Sequence, residues 1–177
     1  MAIFYDNSTT LWRLLAEYFK VGLEQGELGV LVTPFPPEEV TKHFKDLGFD
    51  AQDFIMKGHL RIFDMTETYL PDGRFVADFM MKNVMSFIED AKSQGYSGLR
   101  TAGEMGWSKE HDAFHDEASF YEKNVNDLVA EFPSFTGLCL YATESGESPS
   151  YDMRHIIDTH PTYFYNGELR RNTKFAN

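Results

Sequence analysis

The sequence predicts a three-layer α/β/α domain around a mainly parallel sheet, and three observations support this fold class. Short apolar segments typical of strands alternate about five times with longer segments of helical periodicity. The strand segments are continuously apolar, as in residues 29–33, which is typical of strands that are buried on both faces. The Asn166-Gly167 pair near the end of the chain predicts a tight hairpin, and therefore antiparallel strands at one edge of the sheet.

Each element follows from a local pattern. Five strands are predicted over residues 2–5, 29–33, 60–64, 98–103 and 135–141. Helices are predicted from about residue 8 to 22, from 37 to 47, at 53–56, over 76–93, from Ser108 to about Phe132, and over 153–159. Asp6-Asn7-Ser8 can cap the first helix, Pro36-Pro37 begins the second, and Gly48 ends it. Pro71-Asp72-Gly73 predicts a turn, so residues 66–75 are expected to form a loop.

Length and composition predict one domain over residues 1–177 and limit its partners. The chain has 177 residues and a formal net charge of −12, so nucleic acid and anionic membranes are poor candidates as direct partners. The single cysteine, Cys139, excludes an intrachain disulfide and a cage of several cysteines around a metal. The first residues are too few and too polar for a signal peptide. We therefore expect a cytoplasmic protein that needs no cofactor.

The loop between the first strand and the first helix lacks the residues that bind a phosphate. Residues 5–11 read Tyr-Asp-Asn-Ser-Thr-Thr-Leu, in the place where ATPases carry G-x-x-x-x-G-K-[ST]. Asn7 stands at the last glycine, Ser8 at the lysine and Thr9 at the magnesium-binding hydroxyl. This unit resembles the first βαβ unit of RecA-like ATPases of the KaiC type. Without glycine or lysine, and with the negative charge of Asp6, the loop is not expected to support nucleotide hydrolysis.

Several short motifs together resemble one family, the MEDS domain, a methanogen/methylotroph sensory domain related to KaiC-like ATPases. The matching segments keep their order over residues 3 to about 165. They are Ile3-Phe-Tyr5, Gly22-Leu-Glu-Gln-Gly-Glu27, Val32-Thr33, Thr68-Tyr-Leu-Pro-Asp-Gly-Arg-Phe75, Gly95-Tyr-Ser-Gly-Leu-Arg-Thr-Ala-Gly-Glu-Met105 with Trp107, and Thr159-His-Pro161.

The resemblance implies a RecA/KaiC-like fold and a sensor of small hydrocarbon derivatives. It assigns no set of catalytic residues. Members of the family often lie beside a DNA-binding or kinase domain, but the 12 residues after Tyr165 are too few for a folded output domain. The chain is therefore expected to act alone, by forming homo-oligomers, or through a regulator or kinase as its protein partner.

The candidate binding site lies beyond the carboxyl ends of the strands, where open α/β sheets bind ligands. The residues expected to line it are Tyr5, Thr9, Thr33, Arg100, Glu104, Met105, Trp107 and Tyr141. Met105 and Trp107 offer apolar contacts suited to a small organic ligand, although Trp107 also suits a place in the core. Arg100 and Glu104 share one face of a strand, and an ion pair between Arg100 and Glu104 or Asp64 is the structural alternative to a contact with ligand.

Other residues leave alternatives open. The loop around Pro71-Asp72-Gly73 is either a lid or a solvated turn anchored by Tyr69. His111 and His115 have the i, i+4 spacing that can share a metal, but the sequence between them does not match H-E-x-x-H. Cys139 is expected to be an inert core residue, and His160 a capping or core residue. The rival functions are therefore nucleotide binding without turnover, metal-dependent catalysis through the two histidines, and a purely structural interaction module.

Overall fold

A seven-stranded sheet forms the centre of the molecule. The computed structural model describes residues 1–106, 115–143 and 151–175. The strand order is β3-β2-β4-β5-β1-β6-β7, with every neighbouring pair parallel except β6 and β7. The strands are β1 (Ala2–Tyr5), β2 (Leu28–Thr33), β3 (Leu60–Asp64), β4 (Leu99–Glu104), β5 (Phe135–Ala142), β6 (Thr162–Tyr165) and β7 (Glu168–Arg171).

Seven helices of the described residues cover both faces of this sheet, which confirms the predicted three-layer α/β/α architecture. They are α1 (Ser8–Glu24), α2 (Pro37–Asp46), α3 (Gln52–Met56), α4 (Met65–Tyr69), α5 (Ala77–Ser93), α6 (His115–Glu131) and α7 (Tyr151–Thr159). Buried side chains of α1 and α2 form one core with Ile3, Leu31 and Leu140. Side chains of α4 to α7 form the other core with Phe4, Val30 and Tyr141.

Local signals explain where the elements begin and end. Asn7 is in an extended conformation and its side chain accepts a hydrogen bond from the Thr10 amide at 2.9 Å, which caps α1. Asn166 and Gly167 have φ angles of 50° and 78°, as a two-residue turn between β6 and β7 requires. The predicted C-terminal hairpin is thereby confirmed.

The expected loop over residues 66–75 is wrong in its first half, because α4 begins directly after β3. The Asp64 side chain accepts a hydrogen bond from the Glu67 amide at 2.9 Å and caps this helix. A short 3-10 turn follows at Pro71–Gly73. Tyr69 and Phe75 are buried, so of the two alternatives the described segment corresponds to the anchored turn. It belongs to the core on the α4–α7 face.

The predicted partner of Arg100 is also wrong. Its guanidinium binds both carboxylate oxygens of Glu27, at 2.6 and 3.1 Å, and donates to the Tyr18 carbonyl at 3.0 Å. The Glu27 hydrogen bond and charge raise the pKa of Arg100 above its usual value, although burial acts the other way. The sequence predicted Glu104 or Asp64 as the partner of Arg100 because they lie at or near the ends of strands. It contained no signal that the end of α1 brings Glu27 to Arg100.

The segment from Gly22 to Glu27 is built around this ion pair. Gly26 has a φ of +80°, and the Glu27 amide donates to the Gly22 carbonyl at 2.9 Å, which is the Schellman end of a helix. A Cβ atom at Gly22 would collide with Arg100 Nε. The glycine therefore makes room for the guanidinium, and the helix end brings Glu27 to it.

We expect Glu27→Gln to lower the free energy of unfolding by about 1–3 kcal/mol, because Arg100 would keep a largely buried charge without its partner. Urea denaturation measures the change. Glu24→Gln is the matched control, since Glu24 is exposed on the same helix end, and its effect should stay under about 0.5 kcal/mol. Equal effects of the two variants would contradict the assigned role of the pair.

Candidate functional site

Three of the predicted site residues meet at the carboxyl end of the sheet. Tyr5, Thr33 and Glu104 are the last residues of β1, β2 and β4. The alternation along each strand puts them on the face covered by α1 and α2, together with Ile3, Leu31 and Ala102. This face and this edge are also where the chain passes from β1 into α1.

The strand order makes this edge a topological switch point. The helices that follow β2 contribute to the core on the α1 face, whereas α6, which follows β4, contributes to the core on the opposite face. Because β2 and β4 are neighbours, the connections after them diverge, and in open α/β sheets this divergence creates a crevice beyond the strand ends. Ligands of open α/β sheets bind in such crevices, and Thr33 and Glu104 border this one.

Glu104 is the strongest polar feature of the site. It is 4% exposed, and one of its carboxylate oxygens accepts a short hydrogen bond from the Tyr5 hydroxyl. Burial raises the pKa of Tyr5 far above its usual value, and the charge of Glu104 raises it further. Tyr5 therefore stays a hydrogen-bond donor to a buried carboxylate, and the site favours ligands that donate hydrogen bonds or carry positive charge.

The residues at the start of α1 do not fit a bound nucleoside triphosphate. The Thr10 amide, one of the groups that could face a phosphate, is already used by the Asn7 side chain. Asp6 lies beside Asn7, which donates to it at 2.6 Å, so the loop carries a negative charge, and Ser8 stands where a phosphate loop needs its lysine. Thr9 is exposed on the first turn of α1.

Among the described residues, Met105, Tyr141 and Arg100 lie away from this group. Met105 and Tyr141 are buried in the core on the α4–α7 face, and Arg100 lies near the amino end of β4 against Glu27. Arg100 therefore leaves the set that we assign to the crevice. Trp107 and His111 lie outside the described residues, as does the predicted cap Ser108. His115 begins α6, but its side chain is not part of the described structure.

A second polar cluster, which the sequence did not predict, lies on the α4–α7 face. Glu122 of α6 is 5% exposed and His160, which precedes β6, is 1% exposed. Glu122 Oε2 is 3.0 Å from His160 Nε2 and 3.4 Å from Cys139 Sγ, and Glu122 Oε1 accepts from the Tyr141 hydroxyl at 2.8 Å. We call Glu122, Cys139, Tyr141 and His160 the Glu122 cluster.

Electrostatics in the Glu122 cluster favour an ionised carboxylate. Burial by itself raises the pKa of Glu122, but the His160 charge and the hydrogen bonds from His160, Tyr141 and Cys139 lower it by more. Burial, with the charge of Glu122, raises the pKa of the Cys139 thiol and of the Tyr141 hydroxyl. Cys139 therefore stays a neutral, protonated thiol beside the buried Glu122 charge.

The family of the chain is decided by its sequence match. The family model described as the methanogen/methylotroph, DcmR sensory domain, MEDS, matches residues 1–161. The chain belongs to the MEDS family. Among curated proteins, none is similar enough in sequence to match.

The MEDS domain also has the fold that its motifs suggest. A KaiC-like protein from the hyperthermophilic archaeon Pyrococcus horikoshii OT3 matches with a TM-score of 0.61 at 14% identity, over 96% of this chain and 74% of the archaeal one. At that identity the likeness concerns the fold alone, and it confirms the predicted RecA/KaiC-like architecture. None of the helices in the described ranges is long and apolar enough to cross a membrane.

Gly103 links the anchored turn to the site. A Cβ atom at residue 103 would collide with the hydroxyl oxygen of Tyr69, whereas the ring carbon that carries this oxygen, Cζ, would lie 3.2 Å away. The tyrosine of α4 can approach β4 only because residue 103 has no side chain. This contact holds the α4 segment against the strand that ends in Glu104.

We expect Gly103→Ala to lower the free energy of unfolding by about 1–3 kcal/mol through overpacking. In a Tyr69→Phe background the loss should be smaller, because the colliding oxygen is gone. Gly106→Ala is the control, since among the described residues its Cβ would meet only Glu104 Oε2, at an ordinary contact distance of 3.7 Å. Chemical denaturation of the four variants tests this, and a cost that Tyr69→Phe does not reduce would refute the assigned contact.

Proposed function

We propose that this MEDS domain senses a small organic molecule bound in the crevice at the ends of β1, β2 and β4, and that it does so without hydrolysing nucleotide. The observation that carries the proposal is the buried Glu104 carboxylate, held by Tyr5, at the switch point of a KaiC-like sheet. The family supports a sensing role. The ligand class and the absence of catalysis are our inference from the chemistry of the site.

The charge of the site argues for the ligand class. A buried carboxylate repels phosphates and attracts groups that donate hydrogen bonds or carry a positive charge. Thr33 adds a hydroxyl that is 2% exposed at the end of the neighbouring strand. Small amines and alcohols match these groups best, and they are simple hydrocarbon derivatives.

Transmission of the signal requires a second component. The proposed partner is a regulator or kinase protein, or another copy of the chain. Because the net charge is −12, the domain itself is not proposed to contact nucleic acid.

Thermal-shift measurements with methylamines, small alcohols, thiols and halogenated hydrocarbons test the proposal. A ligand at about 100 times its Kd stabilises the folded state by about 2.7 kcal/mol, which raises Tm by roughly 5–10 °C for a domain of this size. We expect amines or alcohols to produce this shift. If no compound of any class shifts Tm, the proposed function is wrong.

For a compound that raises Tm, Glu104→Gln should weaken binding by about 10–100-fold, because the hydrogen bond to a charged acceptor is lost. Titration calorimetry measures the change. Glu27→Gln is the matched control, since it also alters a partly buried carboxylate but at the amino end of β4. It should lower Tm without changing Kd. Similar losses of affinity in both variants would remove Glu104 from the site.

Titration with ATP and Mg²⁺ separates the sensor from its main rival. We expect neither heat of binding nor a shift of Tm, because the loop at Asp6 to Thr9 offers a negative charge and no lysine. Saturable binding of ATP, abolished by changing Ser8 and Thr9 to alanine, would favour a nucleotide-binding protein instead.

A further inference from the structure

The Glu122 cluster brings three metal-ligating atoms together. Glu122 Oε2, Cys139 Sγ and His160 Nε2 all lie within 4.8 Å of one another. The residues come from α6, from β5 and from the junction between α7 and β6. Carboxylate, thiolate and imidazole are the three side-chain ligands that zinc prefers.

Two of the three distances between ligand atoms are close to those of a tetrahedral site, and the third, between Cys139 Sγ and His160 Nε2, is within 4.8 Å. Zinc bonds of about 2.0–2.3 Å at tetrahedral angles separate neighbouring ligand atoms by about 3.3–3.6 Å. The carboxylate oxygen is 3.4 Å from the sulfur and 3.0 Å from the imidazole nitrogen. Small rotations of the side chains would bring all three to bonding distance of one ion.

The imidazole of His160 is held by a backbone carbonyl on one side and faces the Glu122 carboxylate on the other. Nδ1 is 2.8 Å from the Ile156 carbonyl, which can only accept, so Nδ1 carries the proton. Nε2 is buried and lies 3.0 Å from Glu122 Oε2, in an ion pair that misses the alignment of a strong hydrogen bond. A ring held by a backbone carbonyl at one nitrogen, with the other aimed into a ligand set, is the arrangement of metal-binding histidines.

Tyr141 completes the surroundings of the carboxylate. Its hydroxyl donates to Glu122 Oε1 at 2.8 Å, which leaves Oε2 to face the sulfur and the imidazole. Ligating carboxylates are usually held in this way by a second hydrogen bond.

We infer that Glu122, Cys139 and His160 bind a divalent first-row transition metal ion of the zinc type. Oxygen-preferring ions such as Mg²⁺ and Ca²⁺ do not suit a site with sulfur and nitrogen ligands. Three protein ligands leave a fourth position for water. As the metal–sulfur and metal–nitrogen bonds form, the Cys139 thiol and Nε2 of the ion-paired His160 each release a proton to solvent. The inference goes beyond the proposed sensing function and does not rest on it, since the crevice lies on the other face of the sheet.

The first experiment measures metal content and cobalt spectra on the full chain. After loading with Zn²⁺ and removal of excess, elemental analysis should give about one zinc per chain. Titration of the metal-free protein with Co²⁺ should produce a thiolate-to-cobalt charge-transfer band and the intense visible bands of tetrahedral coordination. A chain that retains no zinc and gives only the spectrum of hydrated cobalt would overturn the inference.

Variants locate the site. Cys139→Ala should abolish the charge-transfer band, and Tyr141→Phe should weaken Zn²⁺ binding by about 10–100-fold as the loss of an outer hydrogen bond does. His160→Gln should lose tight binding altogether. His43→Gln, at a half-exposed position on α2, and Tyr163→Phe on β6 are the matched controls and should bind like the unmodified chain.

Folding and binding are separated by Cys139→Ala, which removes only the thiol of a partly buried residue and keeps the ion pair between Glu122 and His160. Zinc should raise the Tm of the unmodified protein but not of this variant. Binding that survives Cys139→Ala unchanged would place the metal elsewhere and overturn the inference. Glu104→Gln should leave zinc binding intact, so that failure of the sensor proposal and failure of the metal proposal are distinguishable.

Discussion

Both faces of the central strands are covered by helices, and this forces every polar side chain on those strands to find a partner inside the protein. An unpaired buried charge costs several kcal/mol. Arg100 forms an ion pair with Glu27, which lies just beyond the end of α1. Glu104 accepts a hydrogen bond from the Tyr5 hydroxyl, which lies two strands away in the sheet. Glu122 of α6 accepts a hydrogen bond from Tyr141 of β5. The polar groups of the interior are therefore organised as pairs and clusters, and two of these clusters are our candidate sites.

The fold of this chain is separable from the phosphate-binding chemistry of ATPases that have a similar architecture. Apolar alternation and helix ends suffice for the sheet, and they do not involve the residues that hold a phosphate. Asn7 therefore caps α1 with its own side chain where an ATPase of this architecture leaves the helix start open to its ligand. The charged group at the same edge of the sheet is the Glu104 carboxylate. Because its charge is negative, the site favours cationic or hydrogen-bond-donating ligands over phosphates.

Element existence was predictable, whereas some connections and partners were not. The five predicted parallel strands, the C-terminal hairpin and the main helices agree with the structure to within about two residues, apart from the start of α6, which lies beside the undescribed segment. The sequence predicted a loop directly after β3 because of the turn signal at Pro71. The segment forms α4 instead, since Asp64 caps a helix there. Of the seven predicted site residues that the structure describes, Tyr5, Thr33 and Glu104 lie together, whereas alternation along β4 and β5 turns Met105 and Tyr141 to the other face.

The sequence alone determined the layers, the strand type, the membership of the MEDS family and the loss of the phosphate loop, because each depends on patterns within a short stretch of chain. Only the tertiary structure decided which side chains meet. Glu122, Cys139 and His160 are far apart along the chain and follow no spacing rule, and Arg100 and Glu27 pair across 73 residues. Such contacts depend on strand order and helix packing, which no local pattern encodes.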